Sequence, residues 1–462
     1  MLLTVDIGTT SLKSALWTFD GNREVFASYP VSAGNNNELD LNEVRTSLWL
    51  TAFEECCRKL GNQKLVEAIV ISGHGPTLVP VSKDKTLPVR LWLDRGDVNR
   101  GDVKYQETVS ELMGGFVDAS FFLPRILGIK NDEGELYNDT KYFLGCPEYL
   151  AYSLTGNAKS VFPCDGFDRW FWNDDVLNKL NLDPSKFPAF IRPGDQFGTL
   201  QTQAAECYGF KKDIPVICGG PDFFAAILGS GVTKPGLVCD RTGSSEGLNL
   251  CLRNKVENNS FMSYSHPIKP WWNLSGIINT SGKAIEWGSN LLGIRSFEKF
   301  ITLAQQSAPG SGGLIFHPYL AGDRTKLLDS FASWNGIKLS NTRAEFANSI
   351  LEGICLTLKN ILSKMEENNL SDKPLQLHVT GGLSDNPYLN QMKANITGLE
   401  VIEGIHKEGE LLGLAIIGLC ALGKYSSYEE ASRALYRVKK RWVPVTSGVV
   451  TSGVVTSGVV TL

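Results

Sequence analysis

Histidine is scarce and cysteine is scattered in this sequence, and both facts exclude familiar classes of protein. Among 462 residues there are five histidines, which are isolated and form no H-E-x-x-H motif, and ten cysteines, which form no C-x-x-C pair. The sequence therefore lacks the usual zinc motifs and the regular spacing of a disulfide framework. We interpret the cysteines, including the adjacent Cys56 and Cys57, as buried free thiols in a reducing compartment.

Long apolar stretches and an excess of charge of one sign are missing as well. The longest nearly apolar run covers residues 411–423, whereas a membrane-spanning helix needs about 20 residues. Residues 1–6 have neither the basic start nor the apolar core of a signal peptide. Lysine and arginine total 45 against 49 aspartates and glutamates, a net charge of −4, which provides no basic surface for nucleic acid. We therefore expect a cytoplasmic protein that binds neither nucleic acid nor a membrane.

Glycine, by contrast, is abundant. The chain has 46 glycines, about a tenth of its residues, where ~7% is usual. Hydrophobic residues at 42% and charged residues at 20% are ordinary proportions for a folded protein. The length predicts two or three domains. Residues 446–462 repeat the pentapeptide TSGVV three times, match no helix or strand period, and are left out of the fold prediction.

Strand-like apolar runs alternate with helical stretches, which is typical of an α/β fold. We predict strands at residues 2–7, 12–19 and 66–72, helices at residues 43–60 and 343–365, and a further strand–turn–strand unit at residues 236–251 with its turn at 240–245. The segment 231–236, which contains Gly and Pro, is typical of a domain boundary. We therefore expect two α/β domains, residues 1–231 and 232–445, followed by the 446–462 tail.

The two halves begin in the same way, with an apolar strand that ends in Asp and a turn of Gly and hydroxyl residues. These segments are Asp6–Thr10 and Asp240–Ser245. Backbone N–H groups and hydroxyls in such turns can bind phosphate oxygens. Each turn alone is explained at least as well as an ordinary polar hairpin. The presence of both in equivalent places favours phosphate binding.

Two aspartates follow strand-like runs and are candidates for chemistry. Asp6 is expected near the buried edge of a sheet, where its carboxylate needs a partner. Mg²⁺ with a nucleotide and a buried Arg or Lys are equally good partners for it. Asp222 lies between a predicted strand with a Gly219-Gly220-Pro221 turn and a predicted helix. It is either the helix N-cap or a general base at the carboxyl end of a strand, where open α/β sheets bind ligands.

A third glycine turn joins a predicted strand, residues 375–380, to a helix that should begin at Pro387 with Asn386 as its N-cap. Gly381 and Gly382 would let a flat adenosine lie against the backbone, although a tight strand-to-helix connection explains them at least as well. None of these turns matches G-x-x-x-x-G-K-[ST] or G-x-G-x-x-G. This argues against P-loop and dinucleotide-binding proteins.

In their order and spacing, these motifs resemble those of the FGGY carbohydrate kinases, a family with the hexokinase–actin type of ATPase fold. Asp6–Lys13 is similar to the family's first phosphate motif, Asp240–Gly247 to the second, and Gly381–Asn386 to the adenosine motif. Gly219–Asp222 is similar to the segment that carries the catalytic Asp. The most specific likeness is residues 332–352, which match the family's C-terminal pattern. The resemblance covers the whole chain except the TSGVV tail.

The resemblance implies a fold and a reaction. The expected fold is α/β, with two hexokinase/actin-like (ribonuclease H-like) domains and a cleft between them. The expected reaction transfers the γ-phosphoryl group of Mg²⁺–ATP to a hydroxyl of a small carbohydrate, a ketose such as a pentulose or a polyol. ATP and Mg²⁺ are the implied cofactors, and a homodimer is one expected assembly.

The resemblance also implies roles for individual residues. Asp222 would be the general base and contact the sugar, and Asp6 would organise Mg²⁺. The other expected sugar contacts are His74, Gly75, Trp92 and Asp94. The expected nucleotide and phosphate contacts are Gly8, Thr9, Thr10, Lys13, Thr242, Gly243, Ser244, Gly282, Lys283, Gly381, Gly382, Leu383 and Asn386. From the residues alone, Lys283 could instead be a solvated lysine at a helix start and His74 a structural histidine.

Two segments depart from the family pattern. The N-terminal pattern expected at residues 122–131 is degenerate, with Arg125 at the place of a basic residue. The loop 71–77 carries Gly75-Pro76 where glycerol kinases carry Arg-Glu, and it also differs from the Gln-Met-His-Gly of xylulokinases. The sugar is therefore less defined than the reaction. An actin-like ATPase or sugar sensor without sugar turnover, and a dehydrogenase, stay open as alternatives.

Overall fold

A computed structural model describes residues 1–31, 46–83, 87–91, 101–257, 261–322, 331–367 and 372–445. The predicted sugar contacts Trp92 and Asp94 lie outside these residues, as do the start of the predicted helix 43–60 and the 446–462 tail. Within the described ranges, no helix is both long and apolar enough to span a membrane.

The described residues form 14 α-helices and 19 strands. The helices are α1 (Thr46–Leu60), α2 (Gly101–Leu112), α3 (Phe122–Asp132), α4 (Gly134–Asp139), α5 (Cys146–Thr155), α6 (Asp174–Lys179), α7 (Thr202–Tyr208), α8 (Asp222–Gly229), α9 (Gly282–Leu291), α10 (Phe297–Ala304), α11 (Arg343–Glu366), α12 (Pro387–Thr397), α13 (Gly409–Ala421) and α14 (Tyr428–Leu435). The strands are β1 (Leu2–Ile7), β2 (Ser11–Trp17), β3 (Arg23–Pro30), β4 (Ala68–Gly73), β5 (Val79–Val81), β6 (Tyr142–Leu144), β7 (Ser160–Val161), β8 (Phe190–Ile191), β9 (Gln196–Thr199), β10 (Pro215–Pro221), β11 (Leu237–Thr242), β12 (Glu246–Leu252), β13 (Met262–Ser265), β14 (Trp272–Ile278), β15 (Ile315–His317), β16 (Ser333–Asn335), β17 (Gln376–Gly381), β18 (Glu400–Gly404) and β19 (Val438–Trp442).

Two large mixed sheets share the order of six strands, and the second sheet has one additional edge strand, β13. The first has the strand order β3-β2-β1-β4-β10-β9, and the second has the order β13-β14-β12-β11-β17-β18-β19. In the first sheet β1, β2 and β3 are antiparallel neighbours, while β1, β4 and β10 run parallel. In the second sheet β11, β12 and β14 are antiparallel neighbours, while β11, β17 and β18 run parallel. The similarity predicted for the starts of the two halves therefore extends through whole sheets.

The chain divides into two compact units that are not contiguous in sequence. The first unit contains Met1–Gly231, Tyr264–Lys269 and Gly409–Tyr436, and the second contains Val232–Ser263, Pro270–Glu408 and the described residues after Tyr436. The main division falls at the predicted boundary. The predicted simple split at residue 231 nevertheless misses two later segments that belong to the first unit.

Helix α13 shows why one late segment belongs to the first unit. It is apolar on all sides, and residues 409–419 are buried, as expected for a helix enclosed by protein. It packs backbone to backbone against α8, because a Cβ on Gly413 would lie 1.8 Å from the carbonyl oxygen of Ala225. The longest apolar run of the sequence is thus a core helix.

The predicted elements are confirmed, with small shifts at their ends. The largest shift concerns the second hairpin, whose turn was predicted at residues 240–245. Asp240 lies inside β11 and the turn is only Gly243–Ser245, because Thr242 and Glu246 still form a ladder pair.

Candidate active site

The parallel strands of the first unit end together. Ile7 on β1 pairs in register with Gly73 on β4, and Gly73 pairs with Pro221 on β10. Because the strands are parallel, the residues that follow them emerge at the same edge of the sheet. These residues begin the Gly8 turn, the loop of His74 and helix α8. The carboxyl ends of parallel strands are the usual ligand-binding edge of an open α/β sheet.

Asp6 and Lys13 are neighbours across the first hairpin. They are register partners on β1 and β2, so their side chains lie on the same face of the sheet. Asp6 is only 5% exposed, and Lys13 is half-buried. The Asp6 carboxylate thus lies beside a basic residue, one position before the end of β1.

Asp222 is the first residue of α8 and not its N-cap. The N-cap is Pro221, and no side chain caps the helix. The Asp222 Oδ1 atom accepts a hydrogen bond from the backbone N–H of Phe223 at 2.6 Å, and the residue is half-buried. A carboxylate in the first turn of a helix is stabilised in its ionised form by the helix dipole. The Asp222 carboxylate therefore lies at the start of α8, at the edge of the sheet where β10 ends.

His74 is held by the protein itself. Its Nδ1 lies 2.9 Å from Thr77 Oγ1, its Nε2 lies 3.9 Å from Cys146 Sγ, and the residue is 4% exposed. Burial lowers its pKa to about 4, although the Asp222 carboxylate raises it in part. The imidazole is thus neutral at pH 7 with both nitrogens near protein partners. This favours the structural alternative for its ring, while the adjacent Gly75 is exposed.

Arg125 is hydrogen-bonded to the loop that contains His74. It is 1% exposed and donates from one guanidinium nitrogen to the carbonyl oxygens of Pro76 (3.3 Å) and Arg90 (2.9 Å) and from the other to that of Leu91 (2.7 Å). It lies in α3, where the degenerate motif predicted only a basic residue. One buried side chain therefore binds both the loop that follows β4 and residues 90–91.

In the second unit, the start of α9 lies against the Gly243–Ser245 turn. The backbone N–H of Gly282 donates to Gly243 O at 3.0 Å, and the N–H of Lys283 donates to Ser244 O at 3.2 Å. A Cβ on Gly282 would lie 2.5 Å from Gly243 O, so only glycine permits this approach. The Lys283 ammonium pairs with Glu286 at 2.7 Å and is partly exposed, which agrees with a solvated lysine at a helix start.

Thr242 joins the same turn to the glycine turn after β17. Its Oγ1 donates to Thr380 O at 2.9 Å and accepts from Leu383 N–H at 3.1 Å. Gly382 N–H donates to Thr242 O at 3.0 Å. Gly381 has φ +94°, and a Cβ there would lie 2.1 Å from Thr242 O. The Thr242 side chain therefore shapes the turn, and exposed Gly243 and Gly382 present backbone at its surface.

Asn386 caps α12 as predicted. Its Oδ1 accepts from Leu389 N–H at 2.9 Å, and Pro387 begins the helix. The two glycine turns and the starts of α9 and α12 thus form one hydrogen-bonded surface of the second unit. This surface collects the residues predicted to contact the nucleotide in the C-terminal half.

Comparison with known proteins identifies the family. Models of the FGGY family of carbohydrate kinases match residues 1–229 with their N-terminal domain and residues 241–422 with their C-terminal domain. The chain belongs to the FGGY family of carbohydrate kinases. The predicted family and fold are confirmed, a sugar and ATP are its substrates, and the dehydrogenase alternative is wrong.

Relatives of this FGGY kinase resemble it along almost the whole chain. A xylulose kinase from Staphylococcus xylosus is 26% identical over 96% of this chain and 95% of its own length. A gluconokinase from Bacillus subtilis is 25% identical over 93% and 89%. A ligand-bound xylulose kinase from Lactobacillus acidophilus superposes with a TM-score of 0.79 at 20% identity, covering 96% of this chain and 94% of that chain. The last likeness establishes the fold.

The donor set of this FGGY kinase fits a magnesium ion that arrives with the nucleotide. Mg²⁺ is usually bound through one or two carboxylates together with phosphates and water. Asp6 supplies a buried carboxylate at the ligand-binding edge. Among the described residues, no group of three or more His, Cys, Asp or Glu side chains could hold a metal ion.

Sequence reasoning missed the buried charges of the second unit. Lys393 on α12 contacts Asp240 on β11 and Glu246 on β12, and all three side chains are fully buried. Asp240 interrupts the apolar sequence of β11 and Glu246 begins β12, so charged residues in two strands were a signal for a buried partner. The partner itself is 153 residues from Asp240, and no local pattern points to it.

Proposed function

We propose that this kinase transfers the γ-phosphoryl group of ATP to a hydroxyl of a small ketose, with a pentulose as the first candidate and a polyol as the second. Asp222 is the general base, and Asp6 is the carboxylate that organises Mg²⁺. The xylulose kinases among its relatives support the pentulose. The loop at residues 73–77 differs in sequence from that of xylulokinases, so the arrangement of sugar hydroxyls that this kinase prefers can differ as well.

The observation that carries the proposal is the common edge of β1, β4 and β10. The register Ile7–Gly73–Pro221 places the phosphate turn, the exposed Gly75 loop and the Asp222 carboxylate at neighbouring strand ends. Phosphoryl transfer needs these three functions close together, since most of its rate comes from positioning and charge neutralisation.

The proton transfer follows from the position of Asp222. A sugar hydroxyl scarcely ionises at neutral pH, so a base must take its proton as the new P–O bond forms. The Asp222 carboxylate accepts that proton, the sugar oxygen bonds to the γ-phosphorus, and the bond from that phosphorus to the β–γ bridging oxygen breaks to release ADP. Mg²⁺, when bound with ATP, supplies positive charge to the phosphates. Lys13, on the same face as Asp6, adds a second positive charge to this edge.

The test is ADP release, measured in a coupled assay, against a panel of D- and L-pentuloses, hexuloses, glycerol, other polyols and gluconate. We expect a pentulose or polyol to stimulate ADP release and a stoichiometric sugar phosphate to form. Gluconate is included because one relative is a gluconokinase. ATP hydrolysis that no sugar stimulates would favour the alternative of an actin-like ATPase or sensor.

A further inference from the structure

A fully buried ion cluster joins the strands and helices that surround the turns of the second unit. Lys393 Nζ lies 2.5 Å from Asp240 Oδ2 and 2.8 Å from Glu246 Oε1, and none of the three side chains is exposed. Asp240 and Glu246 lie on the strands that flank the Gly243–Ser245 turn, and Lys393 lies on the helix that follows the Gly381 turn. Burial of ionisable groups is unfavourable unless their mutual attraction and hydrogen bonds offset it, so each of the three groups depends on the other two.

The two carboxyl groups of the cluster are not equivalent. Burial, together with the neighbouring Glu246, raises the pKa of Asp240 well above its ordinary value. Burial also acts to raise the pKa of Glu246, but the Lys393 charge and hydrogen bonds from its neighbours lower it overall. The pKa of Lys393 is raised, because the two carboxyl groups outweigh its burial. The two carboxyl groups also differ in their contacts, because Glu246 is hydrogen-bonded to Ser281 as well as paired with Lys393, whereas the ion pair of Asp240 is with Lys393.

Glu246 extends the cluster to the start of α9. Its Oε2 accepts a hydrogen bond from Ser281 Oγ at 2.5 Å, and Ser281 is fully buried. The backbone N–H of Ser281 in turn donates to Ser244 O at 3.1 Å. One ammonium group is thus connected to both strands of the hairpin, and through Glu246 to the helix start that packs on the turn.

We propose that Lys393 and Glu246 are positioning residues for ATP. Their ion pair is linked to the start of α9 by the hydrogen bond between Glu246 and Ser281, and it holds the Gly243–Ser245 turn against that helix start in the form that binds the nucleotide. Asp240 contacts the same ammonium group from the other strand of the hairpin. The inference rests on the proposed nucleotide role of these turns. It adds that nucleotide binding requires an ionised Glu246, which does not follow from the turns alone.

The contacts of the two carboxyl groups provide a matched pair of variants, because Glu246 links Lys393 to Ser281 while Asp240 contacts Lys393. Glu246→Gln removes the ionised carboxylate, and we expect the Kd for ADP and the KM for ATP to rise about tenfold, since hydrogen bonds to charged groups contribute more than neutral ones. Asp240→Asn changes the carboxyl group that contacts Lys393 and leaves the Glu246–Ser281 hydrogen bond in place, so the rise should be at least threefold smaller. The KM for the sugar should not follow either change, and kcat should fall by less than the KM for ATP rises. Equal effects of the two variants on ADP binding would overturn the proposal.

Ser281→Ala keeps the test decisive if Glu246→Gln does not fold. It removes only the hydroxyl that Glu246 holds, and we expect a threefold or greater loss of ADP affinity with little change in Tm. Wild-type ADP affinity in this variant would show that the cluster is only a core ion pair. Ser289→Ala, which removes another buried hydroxyl of α9, one that donates to Ile294 O at 2.9 Å, is the control for loss of a serine hydroxyl.

Calorimetric titration with ADP alone separates this inference from the proposed function. It needs no sugar and no turnover. Wild-type protein that binds no ADP would contradict the nucleotide role of the turns. Wild-type protein that binds ADP, with Glu246→Gln and Ser281→Ala binding equally well, would contradict only the positioning role of the cluster.

Discussion

Asp222 and His74 interact electrostatically at the end of the first sheet. Burial lowers the pKa of His74 to about 4, and the Asp222 carboxylate acts against that shift. The histidine remains neutral at pH 7, so Asp222 faces a polar group without a competing positive charge from the imidazole.

We predict that Asp222→Asn lowers kcat at least about 10²-fold, because the amide cannot accept the hydroxyl proton. ADP binding should stay near that of the wild type, since the predicted nucleotide turns of the second unit are untouched. Asp175→Asn, which changes an exposed aspartate paired with Lys179, is the matched control and should retain full activity. Turnover of Asp222→Asn within a few-fold of the wild type would exclude Asp222 as the base.

Arg125 provides a test of the sugar loop. Arg125→Lys keeps the charge, but an ammonium group cannot reach three carbonyl oxygens with the planar geometry of a guanidinium. We expect the KM for the sugar to rise about tenfold, the equivalent of one or two lost hydrogen bonds, with the KM for ATP changed much less. Steady-state kinetics with each substrate varied in turn measures the difference.

Arg58→Lys is the control for Arg125, because Arg58 is an exposed residue that pairs with Glu55 on α1. It should leave both KM values unchanged. A parallel rise of both KM values in Arg125→Lys would indicate general loosening of the first unit and would contradict a specific role in the sugar loop.

Gly381 tests the nucleotide turn in the same way. Gly381→Ala places a Cβ 2.1 Å from Thr242 O at a residue with φ +94°. Gly398→Ala is the matched control, because Gly398 also has positive φ but a Cβ there meets nothing within 4 Å. Both variants lose about 1 kcal/mol to the left-handed conformation. We expect Gly381→Ala to lose about 1–3 kcal/mol more in the free energy of unfolding and to weaken ADP binding, measured by urea denaturation and calorimetry. Equal losses of unfolding free energy in the two variants would show that the close approach of Gly381 to Thr242 does not constrain the turn.

The features that the sequence predicts are those with local causes. Gly turns after apolar runs predict where strands end, and the cap Asn386 with Pro387 predicts the start of α12. What lies beyond prediction depends on long-range packing. The Thr242 hydroxyl donates a hydrogen bond to a residue 138 positions away. This structural role cannot be predicted from the turn motif, which by itself favours contact with phosphate. That α13 belongs to the first unit could not be predicted for the same reason, because an apolar helix indicates burial but not the element against which it packs.

Glu148 gives the last prediction, which concerns pH. It is a buried residue of α5 whose Oε1 accepts from Val161 N–H at 3.1 Å. Burial raises its pKa to about 7, against the ordinary 4.5 that it recovers on unfolding. Because the folded protein binds this proton more tightly, the stabilisation is complete below pH 4.5 and is lost as the pH rises through 7.

Glu148→Gln stays neutral at every pH and should not show this loss. We expect the variant to gain about 1–3 kcal/mol in the free energy of unfolding, relative to wild type, between pH 5 and pH 8. Urea denaturation of both proteins at several pH values measures the difference. Glu135→Gln, a change of an exposed glutamate in the first turn of α4, is the control and should run parallel to the wild type. A difference between Glu148→Gln and wild type that does not grow with pH would mean that Glu148 is already ionised in the folded protein at pH 5.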